Sequence, residues 1–147
     1  MRITRYRRED FDRLMEINNA CYVPPFCAPE STMREMMMVS DIFVVRVDHL
    51  VVGIEGIVGF AIVRNVEHPY IWNIAVDPTY QSRGVGGNLL REIIKNYTLN
   101  KESQILLHVD ATNPAQKLYF DYGFRVVAVE EDYFKPNDGL LMRRVLP

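Results

Sequence analysis

Asn73-Ile74-Ala75-Val76-Asp77-Pro78-Thr79-Tyr80-Gln81-Ser82-Arg83-Gly84-Val85-Gly86-Gly87-Asn88-Leu89-Leu90 holds the decisive pattern of this chain. An apolar, strand-like run ends at Val76, Asp77-Pro78 closes it, and a polar turn leads to Gly84, Gly86 and Gly87. Apolar residues then return with helical spacing. The first backbone N–H groups of a helix lack intrahelical partners and carry partial positive charge. Glycines let an anion approach those groups without meeting a Cβ. The loop therefore predicts a cradle for phosphate or pyrophosphate. Two common phosphate loops do not fit. Gly87 is followed by Asn88 rather than by Lys and Ser/Thr, and Gly84-Val85-Gly86-Gly87-Asn88-Leu89 lacks the last glycine of the dinucleotide fingerprint.

Outward from this stretch, the pattern alternates between periods of two and 3.6 residues. Val85, Leu89, Ile93 and Tyr97 recur every four residues, with Leu90 and Ile94 beside them, and predict a long helix starting near Gly84. Upstream, Ile42–Val47, Ile57–Arg64 and Tyr70–Val76 are apolar and β-branched and predict an antiparallel meander, with a turn within Asp48–Gly56. Before the meander lie a short strand, Arg2–Tyr6, and a helix over Glu9–Ala20 with Phe11, Leu14, Met15 and Ile17 on one face. A second helix follows, capped by Ser31 and carrying Met33, Met36 and Met37. Downstream, Ile105–Asp110 predicts a strand reached by a crossover and so parallel to Tyr70–Val76. Asn113 and Pro114 read as the cap and first turn of a helix that Gly123 ends. Phe124–Val129 and Leu140–Val145 form a last antiparallel pair across Pro136-Asn137-Asp138-Gly139. The expected class is α+β, with a mixed, mostly antiparallel sheet of six or seven strands and about four helices, in one domain over residues 1–147.

Composition narrows the functional classes. In 147 residues, 17 Lys and Arg face 19 Asp and Glu, a net charge of −2, which disfavours a general pull toward nucleic acid. The longest clean apolar run, Gly56 to Val63, is far too short for a membrane span, and Met1–Arg8 has charge without the apolar stretch of a secretory signal. Cys21 and Cys27 are expected to be reduced thiols of a cytoplasmic protein. Two Cys with no nearby His lack the spacing of a metal site, so no metal is expected.

Gln81-Ser82-Arg83-Gly84-Val85-Gly86-Gly87 resembles the Gln/Arg-x-x-Gly-x-Gly/Ala acetyl-CoA signature of the GNAT N-acetyltransferases. Asn113-Pro114-Ala115, Leu118-Tyr119 and Tyr122-Gly123-Phe124 resemble the second half of that family's coenzyme A site, and the order of elements matches over nearly the whole chain. The resemblance implies a GNAT fold with splayed fourth and fifth strands and acetyl-CoA as co-substrate. It places Gln81, Ser82, Arg83, Gly84, Val85, Gly86, Gly87 and Asn88 around the coenzyme, with the N–H groups of Arg83 to Gly87 on the pyrophosphate. It has Ala75 and Val76 pair with the pantetheine arm in the gap between Tyr70–Val76 and Ile105–Asp110, and Asn113 and Tyr119 complete the site. From Asn113 to Tyr119 is six residues, where the family pattern has seven.

Acetyl transfer to an amine needs a deprotonated amine, a polarised thioester and a proton for the departing thiolate. By the resemblance, Tyr119 lies near the sulfur and serves as the general acid. His108 is the candidate base, at a place where the N-terminal acetyltransferases of ribosomal-protein alanine have a Glu; Asp110, on the same strand face, is the alternative. Tyr22 and Phe26, with Pro24 and Pro25, are expected to wall the acceptor pocket. Tyr133 is expected to border the acceptor in a closing hairpin that resembles the same branch, where Glu130, Glu131 and Asp132 attract a cationic amine. Three functions stay open: acetylation of a protein or peptide N-terminus, acetylation of a small amine such as an antibiotic or polyamine, and acyl-CoA binding without catalysis. The chain is expected to act as a monomer or homodimer.

Overall fold

The computed structural model describes residues 1–22, 27–48 and 55–147. Phe26, the neighbouring prolines and most of the Asp48–Gly56 turn lie outside these residues. The elements are β1 (Arg2–Arg5), α1 (Phe11–Cys21), α2 (Glu30–Met38), β2 (Ser40–Asp48), β3 (Glu55–Asn65), β4 (Pro69–Val76), α3 (Val85–Leu99), β5 (Gln104–Asp110), α4 (Gln116–Asp121), β6 (Arg125–Phe134) and β7 (Asn137–Val145). Among the described residues, seven strands form one sheet in the order β1-β2-β3-β4-β5-β7-β6, and only β4 and β5 pair in parallel.

The alternation of strand residues builds a core on each side of this sheet. Val45, Ala61 and Val63 pack with Leu89, Leu90, Ile93 and Tyr97 of α3 on one face. Val44, Phe60 and Ile62 pack with Phe11, Leu14 and Ile17 of α1 and Met33 of α2 on the other. A buried ion pair ties the start of α1 to the sheet: Arg46 of β2 donates to both carboxylate oxygens of Asp10, at 3.1 and 2.5 Å, and to Thr4 Oγ1 at 2.7 Å. Such a pair is unfavourable to bury unless fully hydrogen-bonded, and Asp10 also accepts from the Arg7 N–H at 2.7 Å.

The feature that matters for function is in β4. Asn73 pairs with Ile62 and Ile71 with Val63, so Trp72 is an extra residue, a bulge that bends the strand. Parallel pairing with β5 is confined to Tyr70↔Leu106 and Ile71↔Leu107. Beyond that point the two strands diverge, which is the expected splay.

Four local expectations are corrected. The cap of α2 is Pro29 rather than Ser31, because Arg34 reaches back one turn to Glu30 Oε1 at 2.9 and 3.0 Å and the helix begins there. Asn113 does not cap α4. Its Oδ1 accepts the Ala115 N–H at 2.9 Å, and bonds from Gln116 to Asn113 and from Lys117 to Pro114 make a tight turn before the helix, whose cap is Ala115. The last hairpin turns at Lys135-Pro136, so Asn137 to Gly139 already belong to β7. Gly139 is there because a Cβ would stand 2.7 Å from that of Tyr133 on the neighbouring strand. β6 runs on to Phe134, five residues past the expected end at Val129, as a strand bulged between Glu130 and Phe134.

Candidate active site

The divergence of β4 from β5 opens a cleft of about 410 Å³. Tyr22, Tyr70, Asn73, His108, Asn113, Tyr119 and Tyr133 all border it, so the fold brings together the sequence-predicted Tyr22, His108, Asn113, Tyr119 and Tyr133. The loop Gln81–Asn88 lies beyond the residues that line the cleft and continues from the end of β4.

That loop is built as its glycines predict. Gly84 caps α3 with φ +83°, a left-handed conformation that favours glycine, and open space surrounds it. Glycine offers no side-chain cap, and the first N–H of α3 to return to a carbonyl is that of Asn88, on Gly84 O at 3.0 Å. The N–H groups of Val85, Gly86 and Gly87 therefore have no carbonyl partner within the helix. Gly86 and Gly87 also serve packing: a Cβ would meet Leu118 Cδ2 at 3.0 Å and the Tyr122 hydroxyl at 2.5 Å, respectively. The Val85 side chain is buried in the core, and the Arg83 guanidinium sits 5.3 Å from the centre of the Tyr80 ring. Asn88 Oδ1 accepts from Arg91 at 2.8 Å. Ser82 also adopts a positive φ, +62°.

Residues of α1 close over the unpaired edge of β4. Tyr22 donates its hydroxyl hydrogen to Ile74 O at 2.8 Å. Val76 O accepts from Cys21 Sγ and from Gln81 Nε2, each at 3.1 Å, while Ala75 is buried beside it. Side chains rather than a neighbouring strand hold these carbonyls, so an extended chain that pairs with this edge takes their place. Burial pushes the Cys21 thiol up, which disfavours the thiolate.

Tyr119 enters from α4, with its ring edge-on to Phe124 at 6.1 Å. The residue is 8% exposed, and no described residue hydrogen-bonds its hydroxyl. Burial pushes this phenol up to about 12. A partnerless hydroxyl at the edge of a cleft is a donor held in reserve.

On the opposite side, His108 belongs to a set of groups that the sequence did not reveal. Its Nε2 lies 2.9 Å from Glu130 Oε1 and its Nδ1 lies 2.6 Å from the Tyr70 hydroxyl. A carboxylate only accepts, so Nε2 carries the hydrogen and Nδ1 accepts from Tyr70. Tyr133 stacks on the imidazole at 4.2 Å with 10° between the planes. Burial, with Tyr133 and Glu130 nearby, pushes the Tyr70 phenol up and keeps it a donor. Glu130 thus holds His108, whereas Glu131 and Asp132 are exposed. Asp110, the alternative base, is otherwise engaged. It accepts from the Thr112 N–H and hydroxyl at 2.8 Å each and from Asn137 at 3.1 Å, and the Thr112 N–H above all holds its carboxyl below the usual range. These bonds pin the β6–β7 hairpin, and with it Tyr133, against the end of β5.

A mixed sheet with a splayed parallel pair, followed by a glycine-opened helix with free amides, defines an acyltransferase architecture. The chain belongs to the GNAT acetyltransferase family: a model of the acetyltransferase (GNAT) domain matches residues 39–126. Two relatives bear the name [ribosomal protein bS18]-alanine N-acetyltransferase. The one from Haemophilus ducreyi is 28% identical over 133 residues, covering 89% of this chain and 87% of its own. The one from Haemophilus influenzae is 30% identical over 132 residues, covering 88% and 86%. The crystal structure of the ribosomal-protein-S18-alanine N-acetyltransferase from Escherichia coli has the same fold, with a TM-score of 0.84, 24% identity, and coverage of 99% of this chain and 93% of that one. Among the described residues, no helix is long and apolar enough to cross a membrane, and no group of three or more His, Cys, Asp or Glu is placed to hold a metal.

Proposed function

We propose that this chain transfers the acetyl group of acetyl-CoA directly to the α-amine at the N-terminus of a protein or peptide. The observation that carries the proposal is the cleft between β4 and β5, with a partnerless Tyr119 hydroxyl and the Tyr70–His108–Glu130 chain both on its lining or joined to it. The free amides of Val85 to Gly87 suit a diphosphate, and the carbonyl edge of β4 suits the pantetheine arm. The names of the two Haemophilus relatives favour a protein N-terminus over a small amine.

In this reading the amine nitrogen attacks the thioester carbon, the C–S bond breaks, and two protons move. The Tyr70 oxygen takes a proton from the amine as its own passes to His108 Nδ1, and Glu130 stabilises the resulting imidazolium through Nε2. Tyr119 gives its proton to the departing thiolate. Ala75, Val76, Gln81, Ser82, Arg83, Gly84, Val85, Gly86, Gly87, Asn88 and Asn113 form the coenzyme side, and Tyr22 and Tyr133 flank the acceptor. Residues 1–147 act as one catalytic domain, and the small negative charge and two free thiols fit the cytoplasm.

Loss of acetyl-CoA thioester should be measured with a panel of peptides bearing free α-amines beside polyamines and aminoglycosides. Turnover with the peptides supports the proposal. Turnover confined to small amines, or coenzyme binding without turnover on any acceptor, refutes it.

A further inference from the structure

A chain of carboxamides runs beneath the acceptor side of the cleft. Asn18, fully buried on α1, donates through Nδ2 to Ala28 O at 3.2 Å and toward Cys27 Sγ at 3.6 Å. Its Oδ1 accepts from Asn73 Nδ2 at 3.0 Å, and the same Asn73 nitrogen faces Met33 Sδ at 3.8 Å. Asn73 is 8% exposed, and its Oδ1 is buried without a partner among the described residues. Both asparagines border the cleft.

The direction of this chain is fixed by its far end. Ala28 O only accepts, so the group of Asn18 that faces it is the NH2. Asn18 then presents its carbonyl to Asn73, which must answer with its own NH2. Turning the Asn73 amide over would set two carbonyl oxygens against each other, and turning both would set Asn18 Oδ1 against Ala28 O. The unpartnered atom is therefore an acceptor, and the missing member of the chain is a donor. Buried polar groups of folded proteins are almost always hydrogen-bonded. Of the five buried side-chain atoms without a partner among the described residues, Asn73 Oδ1 alone belongs to a residue that lines the cleft, which marks a place for a ligand.

We infer that Asn73 Oδ1 accepts the first peptide N–H of the acceptor, that between its first and second residues, and so makes Asn73 a specificity-determining residue for peptide N-termini. The inference rests on the reading that the acceptor is such a terminus. The reacting amine gives its proton to the Tyr70 oxygen, and the next donor along a peptide is that N–H. Asn73 faces α1 and α2 through Asn18 and Met33, away from α3 and the coenzyme loop. A polyamine or aminoglycoside has no amide at that position. A site built to hydrogen-bond one substrate group discriminates strongly against the analogue without it, because its own polar atom is then left unpaired.

The test changes one atom of the substrate. A hexapeptide with an N-terminal alanine is compared with its depsipeptide, in which an ester oxygen replaces the first amide N–H. On the wild-type chain kcat/KM should fall by about 10-fold or more for the ester, with the KM for acetyl-CoA unchanged. On Asn73→Leu the amide and the ester should be turned over equally, and thermal melting checks that this variant folds. Equal turnover of the two substrates by the wild-type chain overturns the inference, whatever the variant does; a water would then be the partner of Asn73. If no peptide with an α-amine is turned over while a polyamine is, the peptide reading itself has failed, an outcome distinct from equal turnover of amide and ester.

Discussion

Replacing Tyr119 by Phe separates catalysis from stability. The ring is buried against Phe124, while the hydroxyl has no partner among the described residues and stays in contact with the open cleft. Removing it breaks no hydrogen bond of the fold, so Tyr119→Phe should change stability by no more than about 0.5 kcal/mol. In a chain of this size that is a shift in Tm of no more than about 2 °C. The linkage has a definite sign. Burial pushes Tyr119 up to about 12, so the folded state holds this proton more tightly than the unfolded chain, whose phenol titrates near 10. The contribution is complete below about pH 10 and fades as pH rises toward the folded value, so the variant should lose less stability in alkali than the parent does. The rate should move the other way. A positioned general acid contributes about 10²–10⁴-fold, and kcat should fall within that range with the KM for acetyl-CoA little changed. Steady-state kinetics and thermal melts on the same preparation give both readouts. An unchanged kcat removes Tyr119 from the chemistry. A parallel loss of activity and several degrees of Tm would make it a packing residue only.

Gly87→Ala should destabilise the chain by about 1–3 kcal/mol by overpacking, since its Cβ would stand 2.5 Å from the Tyr122 hydroxyl; a denaturant titration should show part of this recovered in Gly87→Ala/Tyr122→Phe. Glu130→Gln should lower kcat by about 10-fold or more, because Nε2 of His108 loses the carboxylate that fixes its hydrogen, and His108→Ala should remove the acidic limb of the pH–rate profile. An unaltered profile in His108→Ala rejects the base assignment. The Asp110 carboxyl is held low in the folded state, chiefly by the Thr112 N–H, so its stabilisation is present above the unfolded value of about 4 and is lost as pH falls through the depressed one. Melting curves of Asp110→Asn should therefore show a flatter acid side.

What the sequence made legible follows from how locally each feature is encoded. The glycine-opened helix was readable because Gly84 needs a left-handed backbone and the apolar stripe from Val85 to Tyr97 fixes which face is buried. The parallel relation of β4 and β5 followed from the intervening helix. The Tyr70–His108–Glu130 chain was not readable. It joins residues of three strands across three pairings, with β7 between β5 and β6, and one residue of register would turn each side chain to the other face. The bulge at Trp72, which turns Asn73 toward Asn18, has the same non-local origin. Asn113 misled because the Asx turn it forms and a helix cap use the same side-chain oxygen and differ only in what the backbone does next. Arg46 gave no sign of burial, since its partner Asp10 lies 36 residues away.

In the proposed reaction the amides where α3 begins hold the diphosphate of coenzyme A and so lay a thioester along the open edge of β4. The decisive experiment is isothermal titration calorimetry of the chain with acetyl-CoA. Saturable binding at one site per chain is expected, weakened at least about tenfold when Gly86, whose Cβ would meet Leu118 Cδ2 at 3.0 Å, is replaced by a bulky residue that shifts the start of α3, with thermal melting checking that the variant folds. Absence of binding to acetyl-CoA and to free coenzyme A alike would contradict it.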